Sequence, residues 1–120
     1  MDRGRKISGG KYHNLRKKKL FQKRNAQRHT TIGEIKRKQL HTRGGHFKTI
    51  LLKSDEANVI VDGKIKKTKI VNVIETPQNR FFSRENRLMK SAVIETPLGK
   101  AKITNRPSQE GCVNAILIKE

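Results

Sequence analysis

The residues best able to bind a ligand form a dense run of cations between positions 16 and 28. The run consists of Arg16, Lys17, Lys18, Lys19, Lys23, Arg24 and Arg28. Cations placed near nucleic-acid phosphates release condensed counterions, which makes binding strong and dependent on salt. Such runs also occur as localisation signals or solvated tails. Because the surrounding sequence is basic as well, we predict that this run contacts nucleic-acid phosphates.

Paired glycines lie among cations at two places. Ser8, Gly9 and Gly10 are flanked by Arg3, Arg5, Lys6 and Lys11, and Gly44 and Gly45 lie between Arg43 and His46, followed by Phe47 and Lys48. Glycine lets a backbone approach a phosphate closely, and its amide can donate to the phosphate oxygens. The first pair can equally be a flexible hinge, and the second can be the turn into the first strand of the body. We predict that both segments bind a nucleic-acid backbone.

Aromatic and guanidinium groups extend the candidate site. Four rings interleaved with the cations can stack on unpaired bases or anchor the segment onto the rest of the protein: Tyr12, His13, Phe21 and His29. Arg80, Arg84 and Arg87 occur in a polar stretch that we expect to be a loop, and Arg106 occurs in a predicted turn. The planar guanidinium suits phosphate, so we predict that these four arginines contact nucleic acid. Phe81 and Phe82 either cover one end of the body or stack on a base.

Sequence patterns typical of enzymes and metal sites are missing. The chain has no P-loop, nucleophile elbow or dinucleotide fingerprint. Its four histidines lack metal-ligand spacing with Cys112 or with acids. A single cysteine excludes an internal disulfide. We therefore predict no catalytic residue, metal or cofactor. With no signal peptide and no apolar run of about 18 residues, we expect an intracellular protein that binds no membrane.

Positive charge and apolar residues occupy different parts of the chain. Of 29 Lys and Arg, 16 lie in residues 1–48 with two acids, whereas residues 49–120 contain 13 with eight acids. The net charge of +19 favours a polyanionic partner. The first segment has too few apolar residues to offset the entropy of ordering its backbone. We therefore predict a basic arm over residues 1–45, disordered alone, and a folded body over residues 46–120.

The body is predicted to be all-β. Asp62-Gly63 between apolar residues indicates a hairpin, followed by a strand over about 64–75. Alternation predicts strands over 99–104 and 112–118, and Phe47 to Lys53 is expected to form another. Helix signals are weak, amounting to one turn near Leu20, and residues 34–42 favour an extended form. Short strands separated by turns predict a small β-barrel of about six strands with a long, irregular basic N-terminal extension.

A short internal repeat lies within the body. Val73-Ile74-Glu75-Thr76-Pro77 recurs as Val93-Ile94-Glu95-Thr96-Pro97. Proline cannot donate to a sheet ladder, so each copy predicts a strand end followed by a turn. Two copies do not make a solenoid, and we interpret them as pseudo-equivalent strands of one barrel.

Several segments, taken in order, resemble a known family. They include Arg5-Lys6-Ile7-Ser8-Gly9-Gly10, Thr31-Ile32-Gly33, Arg43-Gly44-Gly45, Ala57-Asn58-Val59, both copies of the repeat, the stretch from Thr104 to Gly111, and Val113-Asn114-Ala115. Their combination resembles the archaeal and eukaryotic "e" class of small-subunit ribosomal protein eight, in its short archaeal form. The chain departs from the family pattern at residues 20–24, where a Glu-x-Gly is usual, and at Ser91 and Ser108, where glycine is common.

This resemblance implies a β-barrel whose basic extension threads into small-subunit ribosomal RNA. The expected partners are that RNA and neighbouring small-subunit proteins, in cytoplasmic ribosomes, and no homo-oligomer is expected. Three alternatives remain at this point: a related ribosome-assembly factor that binds only transiently, a chromatin-like DNA-binding protein, and a nuclease.

Overall fold

The N-terminal segment contributes little to the folded core. A computed structural model describes residues 4–118, and residues 4–35 contain one turn of 3-10 helix, Leu20–Gln22, and a few isolated bridges. Every residue from Gly4 to Gln27 is exposed. The first buried residue in the described chain is Thr30. The apolar core is therefore built from the residues that follow.

The first two strands form a separate hairpin. Strand β1, Lys36–His41, pairs antiparallel with β2, Phe47–Lys53. The extended form predicted for residues 34–42 and the strand predicted from Phe47 to Lys53 are confirmed. The turn between them uses Gly44 and Gly45 at φ values of +83° and +78°, where a side chain would be strained. The alternative that this glycine pair forms a turn into a strand is confirmed, and the predicted boundary after residue 45 lies within that turn.

The remaining strands form one sheet of six. They are β3 (Glu56–Val61), β4 (Lys64–Lys69), β5 (Asn72–Glu75), β6 (Val93–Thr96), β7 (Gly99–Ile103) and β8 (Asn114–Leu117). Their order across the sheet is β4-β3-β8-β7-β6-β5. Neighbouring strands are antiparallel except β3 and β8, which are parallel. The predicted all-β class is thus confirmed.

The two edge strands of this sheet are consecutive in the chain. Only Ile70 and Val71 separate β4 from β5. The Ile70 N–H donates to the Asp55 carbonyl at 2.7 Å, and the Val71 N–H donates to the Glu95 carbonyl at 2.9 Å. The chain therefore crosses from one edge of the sheet to the other within two residues. Within residues 4–118 no ladder pairs β4 with β5, so the predicted closed or nearly closed barrel is not confirmed.

Alternation along the strands places one face of the sheet in the core. Successive side chains of a strand point to opposite faces, and Val59, Ala101 and Ile103 are accordingly almost fully buried beside exposed Ile60 and Lys102. The hydrophobic cluster comprises Leu51, Ala57, Val59, Ile70, Val73, Leu88, Ala92, Ile94, Ala101, Ile103, Val113 and Ala115. Because Leu51 belongs to β2, the hairpin and the six-stranded sheet share one core.

The internal repeat supplies two neighbouring strands. Its copies lie in β5 and β6, which pair antiparallel with Val73 opposite Ile94. Each copy then ends in the same hydrogen bond. The buried hydroxyl of Thr76 donates to the Asn79 carbonyl at 2.5 Å, and that of Thr96 donates to the Gly99 carbonyl at 2.8 Å. The prediction of pseudo-equivalent strands followed by turns is confirmed, although not as parts of a closed barrel.

A short helix replaces part of the loop that we predicted between β5 and β6. Helix α1, Arg80–Arg84, begins after Asn79, whose side-chain oxygen accepts a hydrogen bond from the Phe81 N–H at 3.0 Å. Asparagine is a favoured N-cap because it satisfies a backbone donor that the helix leaves unpaired. The loop prediction was wrong here because five residues are too few to show helical periodicity.

Candidate nucleic-acid interface

The predicted cations of the arm point into solvent. Arg5, Lys6, Lys11, Arg16, Lys17, Lys18, Lys19, Lys23 and Arg24 are all exposed, as are Ser8, Gly9, Gly10, Tyr12 and His13, whereas Arg3 lies outside the described residues. The ion pairs seen within residues 4–118, Glu56 with Lys67 and Glu85 with Arg87, include no cation of the arm. These charges are thus available to an external polyanion.

The first glycine pair folds the arm back on itself. The Gly9 N–H donates to the Lys6 carbonyl at 2.8 Å, with Gly9 at φ +80°, and Arg5 forms a bridge with Lys11. Arg5 Nη1 donates to the Gly9 carbonyl at 3.0 Å, and Lys6 Nζ lies 5.8 Å from the centre of the Tyr12 ring. The turn therefore gathers three cations and one aromatic ring.

Thr30 and Thr31 fix the arm to the body. The buried Thr30 hydroxyl donates to the Leu51 carbonyl at 2.8 Å, and the Leu88 N–H donates to the Thr30 carbonyl at 2.8 Å. The Thr31 N–H donates to the Leu52 carbonyl at 3.2 Å. The segment thus lies between β2 and the chain after α1. We did not identify this attachment from the sequence, although β-branched residues interrupting a basic stretch are the signal that could have shown it.

Arg87 has several partners within the protein. Its guanidinium lies 4.3 Å from the Phe82 ring centre, donates to His29 Nδ1 at 2.9 Å and pairs with Glu85. Its side chain is only 16% exposed. Arg87 was predicted to contact nucleic acid, but in this structure its contacts hold the start of the attached segment against the chain after α1.

Helix α1 presents the other two predicted arginines to solvent. Arg80 and Arg84 are exposed, and their guanidinium carbons lie 5.2 Å and 5.8 Å from the Phe81 ring centre. Phe81 is itself about half exposed, whereas Phe82 is partly buried against Arg87. Phe81 therefore lies at the surface, whereas Phe82 packs against Arg87.

A cleft brings the remaining predicted cations together. It encloses about 940 Å³ between residues 20–28 and the body, and its cations are Lys23, Arg28, Arg43, Lys48, Lys90 and Arg106. Its described lining contains no acidic side chain. Arg43 Nη2 donates to the Phe21 carbonyl at 3.3 Å, so the turn of the β1–β2 hairpin contacts the wall formed by residues 20–28. His46 does not line the cleft, and Lys90 is a cation that sequence reasoning missed because it stands alone in the chain.

Known proteins match this chain over nearly its full length. The family model for ribosomal protein S8e matches residues 2–118. The chain belongs to this family. The resemblance drawn from the sequence segments is therefore confirmed.

Named S8e relatives come from archaea. Small ribosomal subunit protein eS8 of Methanosarcina barkeri is 46% identical over 96% of this chain and 94% of its own length. The protein of the same name from Methanocorpusculum labreanum is 41% identical over the same shares of both chains.

The departures from the S8e pattern have local structural correlates. Ser91, where the resemblance leads us to expect glycine, has a φ of +68°, which is a backbone conformation that glycine adopts without strain. Ser108 is not among the described residues with positive φ. The unusual segment at residues 20–24 contains the 3-10 turn and the Phe21 carbonyl that accepts from Arg43.

Membership of the S8e family agrees with the prediction that the chain is not an enzyme. Within residues 4–118, no three His, Cys, Asp or Glu side chains come together in a way that could hold a metal ion. Over the same residues no helix has the length and apolar character required to cross a bilayer. Cys112 is a half-buried thiol without a disulfide partner.

Proposed function

We propose that this protein is a structural constituent of the small ribosomal subunit and binds the RNA of that subunit. The observation that carries the proposal is the exposed, acid-free run of cations in residues 5–24 of a chain from a ribosomal-protein family. The relatives are named as small ribosomal subunit proteins. Membership of a ribosomal-protein family favours ribosomal RNA over DNA as the polyanion. It also favours a cytoplasmic location on ribosomes.

The division of labour that we propose follows the distribution of charge. The arm, residues 1–45, neutralises phosphates in RNA grooves and junctions, and the body, residues 46–120, acts as a rigid platform of the β-barrel type. Arg80, Arg84 and Arg106 on exposed parts of the body reach the RNA surface beside the arm. Contacts of this kind read mainly RNA shape, because A-form grooves expose mostly sugar and phosphate. Neighbouring small-subunit proteins are the other expected partners.

A salt titration with matched charge variants tests the RNA-binding mechanism. One variant replaces four arm cations, Arg16, Lys17, Lys18 and Lys19, by Gln, and the control replaces the four lysines of β4, Lys64, Lys66, Lys67 and Lys69, by Gln. Both lose four charges, so a difference between them reports position. In the arm variant alone, we expect affinity for a small-subunit RNA fragment to depend less steeply on salt. The magnitude of the slope of log affinity against log salt should decrease by about 0.7–0.9 per lost phosphate contact. Equal losses in the two variants would contradict a specific role for the arm.

Sedimentation separates the structural constituent from a transient assembly factor. Tagged full-length protein from its native host is expected in mature small subunits washed at moderate salt. Recovery only in particles that contain precursor RNA would instead support the assembly factor. The relatives are named as proteins of the small ribosomal subunit, and these names do not favour the assembly factor.

A further inference from the structure

We infer that the cleft between residues 20–28 and the body holds an unpaired RNA nucleotide, with its base against Phe21 and its phosphates among the surrounding cations. The inference rests on the proposed function and adds the kind of RNA feature that the cleft binds. The cleft thus differs from the rest of the arm in the RNA that it binds. The rest of the arm needs only the phosphates of an RNA helix, whereas the cleft needs an unpaired base.

The electrostatics of the cleft suit a phosphodiester chain. Six cations line it, and no acidic side chain among the described lining residues offsets them. They come from four separate parts of the chain: the arm, the β1–β2 hairpin, the loop after α1 and the loop after β7. Charges from such distant segments would repel one another without an anion between them. An anion that enters the cleft is therefore attracted from several sides.

Phe21 gives the cleft a surface that phosphate binding alone does not require. Its side chain is 62% exposed at the wall of the cleft, and its carbonyl is held by Arg43 Nη2 at 3.3 Å. Single exposed apolar side chains are common on protein surfaces, but Phe21 lies at the wall of a cleft lined by six cations. A base offers a flat, apolar face of suitable size, and base stacking on aromatic side chains is common in single-stranded RNA recognition.

The shape of the cleft favours an unpaired nucleotide over a helix. Bases within a helix are covered on both faces by their neighbours, so only an extruded or single-stranded base can stack on Phe21. The volume of about 940 Å³ is within the range of sites for small molecules. Asn25 and Gln27 also line the cleft, and their side-chain amides can donate to and accept from a base edge.

The test compares two RNA hairpins that differ by one nucleotide. The first carries a single bulged 2-aminopurine, whose fluorescence falls on stacking, and the second is the same hairpin without the bulge. Full-length protein is expected to bind the bulged hairpin roughly tenfold more tightly and to quench its fluorescence. Phe21→Leu is expected to abolish both the preference and the quenching, so that the variant binds the two hairpins equally tightly.

The matched control is Phe81→Leu. It also removes a half-exposed phenylalanine that lies near two arginines, but Phe81 is outside the cleft. This variant is expected to keep the preference for the bulged hairpin. Loss of the preference in both variants, or equal affinity of the unaltered protein for the two hairpins, would overturn the inference. Absence of salt-dependent binding to either hairpin would instead refute the proposed function itself.

Discussion

Ser91 and Ser108 show how one side-chain type has different costs in different backbone conformations. The resemblance to the S8e family leads us to expect glycine at both positions, but only Ser91 has positive φ, at +68°. Its N–H donates to the Ile103 carbonyl at 2.8 Å, which holds the residue in that conformation. A Cβ atom in the left-handed region clashes with neighbouring backbone atoms. Ser91 is therefore a strained position, whereas Ser108 is not strained in this way.

Ser91→Gly is expected to stabilise the protein by about 0.5–1 kcal/mol. The substitution removes a left-handed penalty of about 1–2 kcal/mol and adds back about 0.5–1 kcal/mol of backbone entropy. Ser108→Gly, the matched control, adds only the entropy and is expected to destabilise by about 0.5–1 kcal/mol. Urea unfolding followed by circular dichroism measures both. Stabilisation by Ser108→Gly, or none by Ser91→Gly, would contradict the assignment of strain.

Arg87→Met is expected to destabilise the protein, although the residue carries the charge of a nucleic-acid contact. The substitution removes the contact with the Phe82 ring, the hydrogen bond to His29 and the ion pair with Glu85. The first two are together worth about 1–2 kcal/mol for a largely buried guanidinium, and the exposed Glu85 adds little. Arg84→Met removes an exposed arginine on α1 and is expected to change stability by less than about 0.5 kcal/mol. Comparable unfolding midpoints for the two variants would show that Arg87 has no structural role.

At the scale of the element, the β3–β4 hairpin shows a turn specified by two residues. Asp62 and Gly63 both have positive φ, at +48° and +79°, which is the conformation required by the tight turn that best matches strand twist. A Cβ on Gly63 would meet no atom within 4 Å. The cost of a side chain there comes from the backbone alone.

Gly63→Ala is therefore expected to destabilise the protein by about 1 kcal/mol. Gly10→Ala is the control, because Gly10 is not among the residues with positive φ and its added Cβ would lie at an ordinary contact distance of 3.7 Å from Ser8 Oγ. We expect Gly10→Ala to change the unfolding free energy by less than about 0.5 kcal/mol. An unchanged unfolding midpoint in Gly63→Ala would argue against this turn.

Local patterns predicted the elements well, because their causes lie within a few residues. The Asp62-Gly63 turn, the alternation around Ala101 and the repeat at Val73 and Val93 each depend on neighbours in sequence. The break at Ile70 and Val71 was missed because it results from pairing with Asp55 and Glu95, which are distant in the chain. The parallel pairing of β3 with β8 has the same origin.

The candidate site was predictable in composition but not in arrangement. The density of charge identifies Arg16 to Lys19 from the sequence alone. Consecutive cations are expected to be exposed to solvent, and in the fold they are exposed. The cleft was not predictable, because Lys23, Arg43 and Arg106 meet only when the arm is attached at Thr30. Arg87 shows a second limit of the sequence: its charge predicts an external partner, and the internal partners that the fold gives it could not be predicted.

At the scale of the whole molecule, the arm and the body differ in what stabilises them. Residues 4–27 are exposed throughout, whereas the hydrophobic cluster spans Leu51 to Ala115. The Cα radius of gyration is 21.6 Å, compared with about 14 Å for a compact chain of this length. Burial in the core therefore stabilises the body, whereas residues 4–27 of the arm require an external partner to hold them in one conformation.

Limited trypsin digestion is expected to show this difference. In isolated protein the first cuts should follow cations between Lys11 and Arg24, and the exposed arginines of α1 should be cut more slowly because the body must open first. Addition of a small-subunit RNA fragment should slow the cuts in the arm more than those in α1. Mass spectrometry of early fragments identifies the sites. First cuts within β3 to β8 would contradict the assigned stability.

The position of β8 has a consequence for biosynthesis. This strand lies between β3 and β7 and comes after every other strand in the chain. The central pairings of the sheet, β8 with β3 and β8 with β7, therefore cannot form in a nascent polypeptide until Leu117 has left the exit tunnel. The cationic arm emerges first, while the hydrophobic strands still lack their central partner. Capture of the arm by RNA during translation would then precede completion of the sheet.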